Sequence, residues 1–150
     1  MCLKLITNKE ELESTAYFEL LPSRFNNKFW NGNAVFMSES SFGFMEDIVS
    51  KHYTDYDYYD CVMNIHRDIW MLIITDLQYR KAIIDEAMDA EILISECSFL
   101  DKYTIGELQK NWNTHKQSIQ GLFESTLCWL QKTLEMHEYI VLIGLYSDPT

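Results

Sequence analysis

The chain has 150 residues, 47% of them apolar and 14% aromatic, with 23 acids against 12 lysines and arginines and a formal net charge of −11. This is too apolar a composition for a disordered chain, and the length suits one domain that buries about 70% of the surface its unfolded form exposes. The negative charge opposes direct binding to a nucleic-acid backbone or an anionic membrane, which carry the same sign, so a large partner is expected to be basic.

The opening Met-Cys-Leu-Lys-Leu-Ile runs into polar Thr7 and Asn8. It is too short for a signal peptide, Cys2 lacks the preceding residues of a lipoprotein cleavage site, and no apolar run reaches membrane-spanning length. A cytoplasmic location is expected. Asn8 and Glu11 resemble a capping box, with Leu12, Ala16 and Leu20 at helical spacing before Pro22, which predicts a first helix near 9–20. Loop-forming residues then surround Phe29 and Trp30, and Ala34-Val35-Phe36-Met37, bounded by Gly and Ser, reads as a strand. Ser40 or Ser41 can cap a helix with Phe42, Met45, Ile48 and Val49 on one face, reaching about Lys51.

No glycine or proline occurs between Gly43 and Gly106, and Val62, Ile65, Ile69, Ile73, Leu77, Ile84 and Met88 keep near a 3.6-residue period. One long helix, or two in line, is predicted there, although Trp70-Met-Leu-Ile-Ile74 also fits a buried strand. Thr104 and Glu107 form a second capping box ahead of Leu108, Trp112, His115, Ile119, Leu122, Thr126, Leu130 and Leu134, predicting a helix to about Met136. The run Tyr139-Ile-Val-Leu-Ile-Gly144-Leu is β-branched and continuous. It is expected to form a strand covered on both faces, paired with the strand near 34–37 and with residues 3–6 as a further neighbour. The expected fold is α+β: a single domain over 1–150, mainly helical, with four or five helices and a small sheet of two or three short strands.

Between positions 53 and 60 the chain reads Tyr-Thr-Asp-Tyr-Asp-Tyr-Tyr-Asp, four tyrosines and three aspartates without a cation. Tyrosine supplies a rigid apolar face and one hydroxyl at low entropic cost, and aspartate is rarely buried unless paired. The segment therefore fits an interface that meets a basic partner, or a helix start with its tyrosines on the core and its aspartates in water. Across positions 35–101 fourteen acids stand against four bases, a balance of −10. Asp85, Glu86, Asp89 and Glu91 fall in a stretch without lysine or arginine; the plain reading of such a run is a solvated face.

Cys2, Cys61, Cys97 and Cys128 are widely spaced, so free buried thiols are expected rather than a disulfide framework. The cysteines and His52, His66, His115 and His137 lack zinc-site spacing. Asp55-x-Asp57 opens like a calcium loop, but Asp60 and His66 stand where the loop needs glycine and glutamate. No cofactor fingerprint, phosphate-binding loop or nucleophile elbow is present, and the chain reads as a binding protein rather than an enzyme. Trp70, Trp112 and Trp129 sit in helical patterns expected to pack, whereas Phe29 and Trp30 in the Asn-rich loop are candidate contacts.

In its size, acidity, aromatic loop at 27–31 and acidic tyrosine cluster at 53–60, the chain resembles the immunity proteins that bacteria encode beside polymorphic toxins, including those of contact-dependent growth inhibition systems. The resemblance implies an inhibitor of a cognate basic toxin domain, often a nuclease. Asp55, Asp57, Asp60, Asp85, Glu86, Asp89 and Glu91 would then meet the toxin's cations, and Tyr53, Tyr56, Tyr58 and Tyr59 would supply apolar contact area. A small divalent-metal enzyme using Asp55 and Asp57, and an acidic adaptor or scaffold, are the alternatives.

Overall fold

A computed structural model of the chain describes residues 1, 3–14, 16–57 and 62–145. A short 3-10 turn at Lys9–Glu11 precedes β1 (Tyr17–Pro22) and β2 (Val35–Ser38). Helices α1 (Glu39–Phe42) and α2 (Glu46–His52) lead to β3 (Val62–His66), which runs straight into α3 (Arg67–Glu86). The chain continues through α4 (Glu91–Glu96), α5 (Lys102–Lys110) and α6 (Trp112–Met136) to β4 (Tyr139–Ile143). The class is α+β as expected. The sheet is larger: among the described residues it has four antiparallel strands in the order β2-β1-β4-β3.

β4 has no exposed surface at Ile140, Val141, Leu142 and Ile143, which is why its sequence is continuously apolar. It lies in the middle of the sheet, between β1 and β3. The expected pairing of β4 with β2 does not occur; β2 is an edge strand whose Phe36 pairs on its other side with Ile6. Side-chain alternation divides the sheet into two cores. Phe18, Leu20, Val35, Met37, Met63, Ile65, Ile140 and Leu142 belong to the main core with the helices. Leu21, Phe36, Val141 and Ile143 turn the other way, where Ile6 and the 25–30 loop cover them.

Four sequence expectations are altered for tertiary reasons. The helix near 9–20 is instead one turn, with Asn8 Oδ1 accepting from the Glu10 N–H at 3.0 Å, followed by β1. Residues 18–21 are buried on both faces of the sheet, and pairing to two neighbours outweighs a weak helical spacing. The long helix expected from Val62 to Met88, as one piece or two in line, is instead the strand β3 followed by α3. Its strand-to-helix junction needs no glycine or proline, because His66 is extended and its Nδ1 accepts from the Asp68 N–H at 3.1 Å, capping α3. The Trp70–Ile74 run is helical, as the 3.6-residue period predicted, and not the alternative strand. The helix over 104–136 breaks at Asn111, and Asp101 rather than Thr104 caps α5, accepting from the Thr104 N–H at 2.7 Å. A turn at 43–45 likewise divides the helix expected from Ser40, and Ser38 caps its first part.

α3 and α6 form the main helix pair over the sheet. Trp70 Nε1 donates to the Ile140 carbonyl at 3.1 Å and Trp112 Nε1 to the Ala87 carbonyl at 3.4 Å. Both indoles are buried and Trp129 is partly buried, as their helical spacing predicted. Cys97 is a buried free thiol, pushed up to about 12 by that burial. Cys128 is free but exposed, against expectation; Cys2 and Cys61 lie outside the described residues.

The Asn-rich loop is held from beneath by a buried carboxylate. Glu19 is only 3% exposed; it accepts hydrogen bonds from the Trp30 N–H, the Asn31 N–H and Asn31 Nδ2 at 2.8 to 2.9 Å. The loop needs this, because Asn27 and Trp30 adopt φ of 66° and 60°, a left-handed conformation that is costly for a bulky side chain. Hydrogen bonds to a charged group contribute about 1.5 to 3 kcal/mol each, enough to offset that strain. Glu19→Ala is expected to lower unfolding stability by about 2 to 5 kcal/mol, since it leaves three donors unsatisfied; urea denaturation reads the loss, and a loss below about 0.5 kcal/mol contradicts the account.

Candidate functional site

α2 ends at Tyr53, whose N–H bonds the Val49 carbonyl, and a further turn brings the Tyr56 N–H to the Tyr53 carbonyl at 3.0 Å. Both rings are partly buried against the main core. Tyr56 Oη donates to Glu46 Oε2 at 2.7 Å. Asp55 and Asp57 are exposed. The structure therefore divides the tyrosine–aspartate cluster at a helix end: Tyr53 and Tyr56 pack inward, and Asp55 and Asp57 face water. Tyr58, Tyr59 and Asp60 lie outside the described residues. Burial holds the Glu46 carboxyl above the ordinary glutamate range; Tyr56 opposes that rise, and Glu39 and Asp47 add to it.

Phe29 and Trp30 are also drawn inward. They pack on the outer core, and Trp30 stacks on Phe36 with ring centroids 5.6 Å apart. Their aromatic area serves the second face of the sheet.

The second acidic segment closes α3 and opens α4. Asp85 accepts from Lys81 Nζ at 2.8 Å and from Gln120 Nε2 at 2.9 Å, which hold its carboxyl below the usual range. Asp89 Oδ1 accepts from the Glu91 N–H at 3.0 Å, and Glu91 Oε1 accepts from Gln109 Nε2 at 3.2 Å. Glu86 is exposed and makes no hydrogen bond or ion pair to a described residue. Beside these acids stand large exposed apolar side chains: Tyr79 at 68%, Met88 at 91% and Ile92 at 48%. Met88 was expected on the packed stripe; the chain leaves the helix at Ala87, so it points out. Sequence reasoning missed Tyr79 and Ile92 as surface residues. For Tyr79 the available signal was α3 itself, whose apolar residues exceed a single 3.6-residue stripe.

Arg80 explains how this surface is held. It counts as a cation by sequence, but it is 6% exposed. Nη1 donates to the Phe44 carbonyl at 2.9 Å and to Asp47 Oδ1 at 2.7 Å; Nη2 donates to Asp47 Oδ2 at 2.8 Å and to the Glu96 carbonyl at 2.9 Å. One guanidinium thus fastens α3 to α2, to the turn before α2 and to the last turn of α4. Nearby, Asp76 Oδ2 lies 2.6 Å from His52 Nε2 and 3.3 Å from Lys51 Nζ. The His52 hydrogen bond, aided by Lys51, holds the Asp76 carboxyl below the usual range despite partial burial.

Among the described residues, no three His, Cys, Asp or Glu side chains stand close enough to hold a metal ion. No helix among them is long and apolar enough to cross a membrane. No family model, no curated protein and no solved structure matches the chain.

Arg80→Met is expected to destabilise the fold by about 3 to 5 kcal/mol, because it leaves the Asp47 carboxylate and two carbonyls without their donor; chemical denaturation measures this, and a neutral result would refute the anchoring role. A second outcome concerns acid. Since the folded Asp76 titrates below its unfolded value near 3.9, its contribution is present above that pH and lost as pH falls through the folded value. Asp76→Asn should therefore be less stable than the wild type at pH 7, with the gap closing below about pH 4; thermal melts across that range would show a constant gap if the linkage were wrong.

Proposed function

We propose that this chain is an immunity protein, which acts in the cytoplasm by binding and neutralising a cognate basic toxin domain of nuclease type. The observation that carries the reading is the meeting of exposed acidic groups and exposed apolar area at one end of α3. Glu86, Asp89 and Glu91 adjoin exposed Tyr79, Met88 and Ile92. Aromatic and apolar side chains supply the desolvated centre of an interface, and acids at its rim raise the association rate with a basic partner and select against acidic ones. A groove built to hold phosphates accepts carboxylates by the same chemistry. Exposed Asp55 and Asp57, with neighbouring Asp60, add to the negative field that steers such a partner. The inward packing of Tyr53, Tyr56, Phe29 and Trp30 moves the apolar part of the contact from those residues to the α3–α4 surface.

The test is co-expression with the basic C-terminal domain of a protein encoded immediately upstream. Co-purification and restored growth are expected. Charge reversal of Glu86 and Glu91 to lysine should weaken the complex by about 100-fold, most steeply at low salt. An upstream gene without such a domain, or a purified toxin domain that the chain neither binds nor inhibits, would reject the reading.

A further inference from the structure

α3 carries more apolar surface than its own fold covers. Trp70, Ile73, Ile74, Leu77 and Ile84 face the core. On the outer side Met71, Leu72 and Tyr79 are 49%, 54% and 68% exposed. Positions 72, 75, 79, 82 and 86 step by three or four residues and so form one ridge along the helix. α4 runs beside the last part of that ridge. Between them lies a groove of about 340 Å³ lined by Tyr79, Ala82, Ile83, Glu86, Ala87 and Ile92.

The groove is open, because Tyr79, Ala82, Glu86 and Ile92 are themselves exposed. Its floor is fixed: Ala87 is buried, and its carbonyl accepts from Trp112 Nε1 and from Lys116 Nζ, the latter at 2.9 Å. Alanines at 82 and 87 leave the room that a larger side chain would fill. Charge then selects the occupant. Positions 75–96 hold six acids and two bases, and both bases are engaged. Arg80 is buried among its four acceptors. Lys81 Nζ sits 2.8 Å from Asp85 and 3.5 Å from Glu124. Glu86 therefore lines an apolar trough, with Asp89 and Glu91 close along the chain, and no free cation stands among the described residues of that stretch; Lys116, from α6, is engaged with the Ala87 carbonyl.

We propose that this groove docks an amphipathic α-helix of the partner, with apolar anchors at i and i+4 entering between Tyr79 and Ile92, and lysines or arginines beside them meeting Glu86, Asp89 and Glu91. A helix fits because the groove runs between two helices, where ridge-into-groove packing sets the spacing of the anchors. A second copy of this chain would bring like charge against like. The assignment deepens the inhibitor reading and rests on it only for the identity of the partner.

The experiment titrates the full-length isotope-labelled chain with a synthetic peptide of about four helical turns, made of leucine and lysine at amphipathic spacing, beside a scrambled peptide of the same composition. Backbone amide shifts are expected in the 79–92 stretch for the amphipathic peptide alone. Tyr79→Lys combined with Ile92→Lys, both at exposed sites, should weaken binding by about tenfold or more with an unchanged circular dichroism spectrum. Equal binding of the scrambled peptide, or shifts confined to other elements, would overturn the proposal by reducing the effect to bulk charge. A concentration-dependent dimer abolished by the same double substitution would assign the face to a second copy and also overturn it. If the double variant lost the peptide but still neutralised the toxin, the groove would be wrong as the toxin contact and the inhibitor reading would stand. Peptide binding without any toxin partner would leave the groove standing and remove that reading.

Discussion

The buried guanidinium of Arg80 is the constraint on which the helical half of the molecule depends. A charge at 6% exposure is tolerable only where it is paired and its donors find acceptors. Here the four terminal N–H groups of the planar fork meet the Asp47 carboxylate with two parallel hydrogen bonds and two carbonyls with the other two, a geometry that lysine cannot reproduce. Because the carbonyls belong to the turn before α2 and to the last turn of α4, one side chain positions three helices at once. α4 is short and buries only Leu93 fully, so its place beside α3 owes much to this contact. The groove between α3 and α4 exists because that place is held.

The sheet imposes the complementary constraint. Its central strand is apolar on both faces, so both faces must be covered, yet the helices occupy one. The N-terminal segment and the 25–30 loop close the other, with Glu19 supplying the hydrogen bonds that an irregular, partly left-handed loop would otherwise lack. This explains the concentration of aromatic residues in an Asn-rich loop. Phe29 and Trp30 complete a second core, and the same requirement draws Tyr53 and Tyr56 onto the first.

Once those aromatics are placed inside, the surface left for recognition is different from the one the composition points to. Exposed acids contribute little to stability and much to the field around the molecule. Several of them are partly engaged: Asp85 with Lys81 and Gln120, Asp89 with the start of α4, Glu91 with Gln109. Their carboxylates keep further acceptor capacity, so local structure and an outward negative surface are compatible. The apolar side chains beside them have no such internal use.

Net charge, apolar content, the α+β class, the strand at 35–38, the buried strand at 139–143 and most of the last helix follow from the sequence alone, because each is encoded in a local pattern or a sum over residues. The strand β1, the junction from β3 into α3, the central place of β4 and the order of the sheet do not. They depend on which distant segment satisfies a backbone edge, and residues 19–22 and 62–66 pair over more than 70 positions of chain with residues near 140. The same holds for the candidate site. Periodicity reports that a residue is apolar and sequence reports that it is charged, but whether Trp30 covers a sheet, Arg80 is buried or Tyr79 faces water is decided by what packs against each, and only the tertiary structure supplies that.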